Sequence, residues 1–212
     1  MLTLYGSPGS RSTRVAWALE EIGAEYDYIK INLRRGSQYS PAYLAINPAG
    51  KVPALVDGGF VLTESAAICT YLGEKYPQSG LVPPAVDSQI RADFFKWIFF
   101  VMTELEQPLW TLWKHEAVLP MDKRLPQIAP TAQWEFDAAA RILALRLDRR
   151  EYLVGDGFTA ADIFAAETLS WARNAKVALG HAALERYADA VLARPAHLRA
   201  RDRERRLTPF KQ

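Results

Sequence analysis

The sequence predicts two domains of different classes, an α/β domain followed by an all-helical domain. Strand and helix patterns alternate over residues 1–78, and strand patterns then disappear. A proline-containing stretch at 79–86 separates the two parts and is the predicted linker. Helical patterns follow over 87–212. With 212 residues, of which 50% are hydrophobic, the chain is long enough to form two cores.

The elements of the first part are predicted in the order β-α-β-α-β-β-α. Strands are predicted where apolar residues alternate, and helices where they recur every three or four positions. Gly23 is expected to end the first helix, and Asp57-Gly58-Gly59 predicts a hairpin turn. This order is compatible with a thioredoxin-like layer. The predicted strands are 2–5, 26–31, 54–56 and 60–62, and the predicted helices are 11–22, 41–46 and 64–76.

The second part is predicted to be helical throughout. A helix is expected from Gln89 to about His115, and its residues between Phe94 and Met102 are apolar nearly all round. Such a pattern indicates a helix that is covered on more than one side. Thr159 and Asp162 have the spacing of a capping box at the start of a later helix.

Charge and cysteine content indicate which partners and which cellular compartment to expect. The 26 basic and 24 acidic residues give a net charge of +2, so we expect neither nucleic acid nor membrane as a partner. The one cysteine, Cys69, excludes an internal disulfide, and the N-terminal residues lack the features of a secretory signal. A reducing cytoplasm fits both observations. A solvated terminal segment is expected from the basic residues Arg199, Arg201, Arg203, Arg205, Arg206 and Lys211.

Two neighbouring motifs predict a binding site for a short peptide-like molecule. Pro53 follows Val52 at the start of an apolar strand and is a candidate for a cis bond, which would leave the Val52 main chain facing outward. An extended ligand pairs with such groups as an added strand. The helix that opens at Glu64-Ser65 offers free N–H groups to a carboxylate. Together the motifs fit a short, extended, anionic ligand.

These motifs resemble those of the cytosolic glutathione transferase family, and of its theta- and phi-like serine classes in particular. The resemblance extends to Gly157-Phe158-Thr159-Ala160-Ala161-Asp162-Ile163 in the second part. It implies reduced glutathione as cosubstrate and a homodimer. It also implies that Lys51 meets the glycyl carboxylate, while Gln38 stands where related proteins often carry histidine. The implied binding residues are Gln38, Lys51, Val52, Pro53, Glu64 and Ser65, with Arg11 and Asn47 as further candidates.

A serine hydroxyl is the expected activator of the glutathione thiol. The thiolate is the reactive form, and a hydrogen bond to the anion lowers the thiol pKa by roughly one to two units. In the serine classes the catalytic serine stands two residues after a proline, as Ser10 does after Pro8. In the omega class the active residue directly precedes the proline, which makes Ser7 an alternative. Ser12 is a second alternative, although its position favours a helix N-cap.

The second substrate is expected to be a flat hydrophobic electrophile, held between the first turn and the first long helix of the helical domain. No metal is expected, because the three histidines lack the spacing of metal ligands. Two other functions stay open. One is a noncatalytic binding module on the same fold, and the other is a glutathione-dependent peroxidase or disulfide reductase. The aromatic and thioether side chains expected to line the hydrophobic site are Phe95, Phe99, Met102, Trp110 and Trp113.

Overall fold

The computed structural model describes residues 1–206, which divide into two compact units. One unit comprises Met1–Val82 together with residues 193–206, and the other comprises Pro83–Leu192. The second unit therefore begins inside the stretch expected to be the linker. Residues 193–206 pack with the first unit, which corrects the expectation that they belong to the helical domain predicted over 87–212.

The first unit is built on a four-stranded mixed sheet. Its strands are β1 (Leu2–Gly6), β2 (Tyr26–Lys30), β3 (Ala54–Asp57) and β4 (Phe60–Thr63), in the spatial order β2-β1-β3-β4. Strands β1 and β2 are parallel, whereas β3 runs antiparallel to both β1 and β4. Asp57 pairs with Phe60 across the two-residue hairpin loop. The element order predicted for the thioredoxin-like part is confirmed.

Nine α-helices lie among residues 1–206, and two of them are extended by π-helical turns at Val101–Leu105 and Lys114–Val118. Short 3₁₀ turns lie at Leu33–Arg35, Ser37–Tyr39, Pro77–Ser79, Met121–Lys123 and Pro126–Ile128. In chain order the helices are α1 (Ser12–Ile22), α2 (Pro41–Leu44), α3 (Ser65–Lys75), α4 (Ser88–Phe100), α5 (Glu106–Trp113), α6 (Ala129–Leu147), α7 (Ala160–Asn174), α8 (Ala182–Leu192) and α9 (Pro195–Arg205).

Helix α1 packs on the sheet and is closed at Gly23. Gly23 has a φ of 72°, a left-handed conformation that glycine adopts without steric cost, and its N–H bonds to the Leu19 carbonyl. The side chains of Val15, Trp17 and Leu19 are completely buried. The helix predicted before Gly23 is therefore present, with its apolar face in the core of the first unit.

Helix α9 occupies the segment that was expected to be solvated. Most of its arginine side chains are exposed as expected, but the opposite face of the helix is buried. Ala196, Ala200 and Glu204 are buried, because this face of α9 packs on α1. Arg194 forms a two-pronged ion pair with Glu21, with N–O distances of 2.7 and 2.9 Å. Lys211, which was included in the predicted tail, lies outside the described residues.

The second unit contains the long helical segment predicted from Gln89 to His115. It runs through α4 and α5 and is interrupted by π-helical turns. Phe94, Trp97 and Ile98 are buried, but the Phe99 side chain is 62% exposed. The segment is thus covered on one side and open at Phe99 in the single chain. No helix among residues 1–206 combines the length and apolarity needed to cross a membrane.

The capping box predicted at the start of α7 is present and extends into a larger buried network. The Asp162 carboxylate accepts hydrogen bonds from the N–H groups of Leu153 and Thr159, at 2.7 and 2.8 Å. It also accepts hydroxyl hydrogen bonds from Thr159 and Tyr187, at 3.2 and 2.8 Å. Burial raises the Asp162 pKa, although these four donors oppose the shift. One carboxylate therefore joins the loop before α7 to α7 and α8.

Replacing Asp162 with alanine is expected to lower the free energy of unfolding by about 3 kcal/mol, because buried donors lose their acceptor. Urea denaturation followed by circular dichroism measures the change. The control is Asp189→Ala, which removes a largely exposed carboxylate paired with Arg173 in the same unit, and it should cost less than about 1 kcal/mol. Equal small losses in both variants would contradict a structural role for the Asp162 network.

Candidate functional site in the first unit

The turn between β1 and α1 brings three serine side chains together. The Ser10 hydroxyl donates to the Ser7 carbonyl at 2.7 Å and lies 2.9 Å from the Ser12 hydroxyl oxygen. The Ser10 oxygen also accepts the Ser12 N–H at 3.2 Å. Gly9 enables the tight turn with a φ of 70°. The Ser10 hydroxyl therefore bonds within its own turn, and rotation about its C–O bond could direct its proton to another acceptor.

Ser12 does not serve as the N-cap of α1, as the sequence had suggested. It is the first residue of the helix, and Arg11 occupies the N-cap position without a side-chain capping bond. The Ser12 oxygen accepts the Ser7 N–H at 3.2 Å, and the side chain is completely buried. Ser7 and Ser10 are partly exposed. Burial disfavours Ser12 as a direct partner of a bound thiol.

In the loop before β3, the buried side chains of Tyr43 and Asn47 fix the main chain by hydrogen bonds. The Lys51 carbonyl accepts hydrogen bonds from the Tyr43 hydroxyl at 2.6 Å and from the Asn47 amide at 2.7 Å. Asn47 also accepts the Ala49 N–H at 3.1 Å, and the Val52–Pro53 bond is cis. Burial raises the pKa of Tyr43 to about 12, so its hydroxyl stays a donor at neutral pH. The Lys51 carbonyl is thus fixed immediately before Val52.

The positioning role of Tyr43 was not recognised from the sequence. Its only local signal is its place four residues before Asn47, a spacing that also occurs on ordinary helices. Asn47 was expected to touch the ligand as a further candidate. In the structure its side chain contacts Lys51 and Ala49 within the loop, and its contact with the ligand stays a prediction.

Glu64 and Ser65 lie at the start of α3, and Glu64 has an unusual backbone conformation. Glu64 has φ 66° and ψ 116°, in the region that favours glycine, which costs of order 1–3 kcal/mol in a residue with a side chain. Ser65 is only 2% exposed. Its hydroxyl oxygen and the Gln38 side-chain oxygen are buried and have no hydrogen-bond partner among residues 1–206. Buried polar atoms without partners are uncommon, so these two indicate places where a ligand supplies the missing contacts.

A buried carboxylate reaches the first turn from the far end of the chain. The Glu204 carboxylate of α9 is 3.0 Å from the Thr13 hydroxyl and accepts the Tyr28 hydroxyl at 2.9 Å. A longer contact of 3.4 Å joins it to the Gly9 N–H. Burial raises the Glu204 pKa, while the hydrogen bonds of Tyr28 and Thr13 lower it. The sequence showed Glu204 only as an acidic residue among arginines, and no pattern there singled it out.

Cys69 lies in α3 and is completely buried. Its thiol contacts the Arg14 carbonyl at 3.7 Å, and burial raises its pKa to about 12. Such a thiol is a poor nucleophile, because little of it is ionised at neutral pH. Among residues 1–206, no cluster of histidine, cysteine, aspartate and glutamate side chains could hold a metal ion.

The five side chains predicted for the hydrophobic site all lie on the long helical segment of the second unit. Phe95 and Phe99 are stacked with a centroid distance of 6.4 Å, and Phe99 is largely exposed. Met102 lies in the first π-helical turn, whereas Trp110 and Trp113 lie in α5, where Trp113 is 45% exposed. The helical rise places Phe95 and Trp113 roughly 25 Å apart. A single small molecule therefore cannot contact all five.

Comparisons with known proteins identify relatives of both units. The family model "Glutathione S-transferase, N-terminal domain" matches residues 1–74, and "Glutathione S-transferase, C-terminal domain" matches residues 109–195. The chain is 36% identical over 159 residues to the zeta-class glutathione S-transferase of Euphorbia esula, covering 73% of this chain and 68% of that protein.

Two solved structures with bound glutathione are also similar. A sphingomonad glutathione S-transferase complexed with glutathione has a TM-score of 0.84 at 29% identity, covering 96% of this chain and 99% of that chain. A glutathione transferase homologue from Sulfitobacter with bound glutathione has a TM-score of 0.85 at 25% identity, covering 96% and 98%.

Cys69 is expected to resist modification in the folded protein. At pH 8 a thiol with a pKa of about 12 is ionised in roughly one molecule in ten thousand, and this one is also inaccessible. A thiol-reactive disulfide such as DTNB should react with Cys69 only after unfolding in urea. Reaction of the native protein at the rate of a free cysteine peptide would contradict the burial.

Proposed function

The chain belongs to the glutathione S-transferase family, and we propose that it conjugates reduced glutathione to hydrophobic electrophiles through a thiolate stabilised by Ser10. Curated relatives that are named glutathione S-transferases support glutathione transferase activity for this chain. The observation that carries the proposal is the pair of buried oxygens on Gln38 and Ser65, which have no hydrogen-bond partner among residues 1–206 and which precede and follow Val52–Pro53 in the sequence. They lie where the resemblance implies contacts to the two ends of glutathione.

The residues present fit a bound glutathione molecule. The Ser65 hydroxyl and the first N–H groups of α3 suit the γ-glutamyl carboxylate, because a helix N-terminus attracts an anion. The Val52 main chain suits the cysteinyl backbone, which would pair with it as an added strand. The exposed Lys51 ammonium suits the glycyl carboxylate, and the Gln38 side-chain oxygen would accept a hydrogen bond from the glycyl N–H. Each part of the tripeptide thus has a partner of matching chemistry.

Ser10 is the proposed donor to the sulfur. In the free protein its proton points to the Ser7 carbonyl, and rotation of the hydroxyl redirects it to a bound thiolate. The Ser10 oxygen continues to accept the Ser12 N–H, which makes the hydroxyl a better donor. The thiolate then attacks the electrophilic atom, the C–S bond forms, and the leaving group departs with its electron pair. Ser10 keeps its own proton throughout, since its role is electrostatic.

The electrophile is proposed to be apolar, because the candidate side chains are aromatic or thioether groups. They extend over roughly 25 Å of the long helical segment, so one electrophile would contact only neighbouring members of the set. A large exposed aromatic ring such as Phe99 gains hydrophobic free energy when a ligand or a second chain covers it. We further propose a cytoplasmic homodimer, as the family resemblance implies.

A noncatalytic glutathione-binding module is the second candidate function. The observation that favours it is the 2.7 Å hydrogen bond that already holds the Ser10 hydroxyl within the turn. A protein of this kind would bind glutathione without ionising its thiol. Peroxidase or disulfide reductase activity would use the same bound thiolate and stays a proposal of lower rank, since no contact of the described residues favours it over conjugation.

Replacing Ser10 with alanine is expected to raise the pKa of bound glutathione by roughly one to two units, because the thiolate loses a charge-assisted hydrogen bond. At a pH below the wild-type value, kcat/KM with an aryl halide should fall about 10- to 100-fold, while KM for glutathione changes little.

The matched control is Ser7→Ala. Ser7 contacts the Ser10 hydroxyl through its main-chain carbonyl, and the substitution keeps that carbonyl. It should change kcat/KM less than about twofold. Retention of the wild-type protein on immobilised glutathione without turnover, unchanged in Ser10→Ala, would favour the noncatalytic module. A larger loss in Ser7→Ala than in Ser10→Ala would transfer the proposed role to Ser7.

Replacing Ser65 with alanine is expected to lower the affinity for glutathione without lowering the free energy of unfolding. Glutathione affinity should fall about tenfold, because a hydrogen bond to a carboxylate is lost. The free energy of unfolding without ligand should not fall, since the Ser65 hydroxyl has no hydrogen-bond partner among residues 1–206. Titration calorimetry and urea denaturation measure the two quantities.

The control is Ser79→Ala, which removes a hydroxyl that does have a partner, the Tyr76 carbonyl at 2.7 Å. This variant should lose stability by about 1 kcal/mol and keep its glutathione affinity. A Ser65→Ala protein that binds glutathione as tightly as wild type would exclude Ser65 from the site.

A further inference from the structure

Glu204 lies outside every motif that predicts the glutathione site, and yet it binds the turn that carries Ser10. Its carboxylate is 2% exposed and contacts groups on both sides of that serine. On one side is the Gly9 N–H, at 3.4 Å, and on the other is the Thr13 hydroxyl, 3.0 Å from each carboxylate oxygen. The charged Arg201 side chain of the same helix stands 3.5 Å away.

A second path joins Glu204 to the serines through Tyr28. The Tyr28 hydroxyl donates to the Glu204 carboxylate at 2.9 Å, and the Ser12 side chain hydrogen-bonds to Tyr28. Ser12 in turn lies 2.9 Å from Ser10, oxygen to oxygen. The packing is close, because a Cβ placed on Gly6 would lie 2.6 Å from both the Tyr28 hydroxyl and the Ser12 Cβ. This leaves little freedom for the hydroxyl groups behind Ser10.

Helix docking alone does not account for a buried carboxylate at position 204. Removing a carboxylate from water is costly, and an apolar side chain of similar size would dock a helix at lower cost. Helix α9 also has other anchors on α1. Arg194 holds Glu21 through two hydrogen bonds, and Arg199 pairs with Glu20 at 3.2 Å. The presence of a carboxylate at position 204 is therefore better explained by the Gly9 N–H and the Thr13 hydroxyl, which need an acceptor.

We propose that Glu204 is a positioning residue for thiol activation, fixing the Gly9–Thr13 turn so that the Ser10 hydroxyl can turn toward the glutathione sulfur. This rests on the proposed function of Ser10. Helix α9 would then support thiol activation through Glu204, without direct contact between Glu204 and the substrate. Through Gly9 and Thr13 it sets the position of the Ser10 backbone, and through Tyr28 and Ser12 it limits the orientation of the hydroxyl.

The test is a pH titration of glutathione bound to the full-length protein, followed by the ultraviolet absorbance of the thiolate. Glu204→Gln keeps the shape of the side chain but places an amide donor among the donors of the turn, so at least one contact is lost. We expect the pKa of the bound thiol to rise by about half a unit to one unit, less than in Ser10→Ala. At a pH below the wild-type pKa, kcat/KM should fall about three- to tenfold, with KM for glutathione nearly unchanged.

The matched control is Glu21→Gln, which breaks the Arg194 anchor of the same helix without touching the turn. It should leave the pKa of the bound thiol unchanged. Equal shifts in Glu204→Gln and Glu21→Gln would overturn the inference, because α9 would then act only through docking. A wild-type pKa in Glu204→Gln would also overturn it, while a shift in Ser10→Ala in the same experiment would leave the proposed function intact.

A second variant keeps the inference testable if Glu204→Gln does not fold. Tyr28→Phe retains the ring and removes the hydroxyl that links Glu204 to Ser12. A smaller pKa shift in the same direction supports the inference, and no shift overturns it. If wild type and Ser10→Ala give the same thiol pKa, the proposed role of Ser10 fails, and the inference about Glu204 fails with it.

Discussion

The proposed glutathione site of the first unit depends on buried side chains that fix the main chain through hydrogen bonds. Tyr43 and Asn47 fix the Lys51 carbonyl, directly before the cis Val52–Pro53 bond. Glu204 holds the first turn at Gly9 and Thr13 in the same manner. A ligand that pairs with main-chain groups gains affinity when those groups are already in place, because little conformational entropy is then lost on binding.

The site also carries costs in the free protein that a ligand can offset. Glu64 is held in a strained conformation, and Ser65 and Gln38 each bury an oxygen that has no hydrogen-bond partner among residues 1–206. Strain and unsatisfied polar atoms tend to persist at functional sites, where the surrounding structure enforces them. Their occurrence in residues of the proposed glutathione site is the strongest structural support for that site. The identity of the electrophile is less constrained, because its candidate side chains spread along one long helix.

The sequence predicted the elements whose signals are local. The hairpin at Asp57, the end of α1 at Gly23 and the Thr159 capping box each depend on residues within a few positions, and all three are present. It did not predict helix α9 on the first unit or the buried contacts of Glu204, because these join residues more than 170 positions apart. Charge patterning treats an arginine-rich segment as solvated, and only tertiary packing shows which carboxylate faces inward.

Ser12 illustrates the same limit at short range. Its position before α1 suggested a cap, but the chain enters the helix one residue earlier and Ser12 is buried. The central claim is that a hydroxyl of this turn, that of Ser10, stabilises the glutathione thiolate. The most direct measurement is a crystal structure of the complex with reduced glutathione. The account predicts a Ser10 oxygen to sulfur distance of about 3 Å. A sulfur remote from every residue of the turn would contradict it.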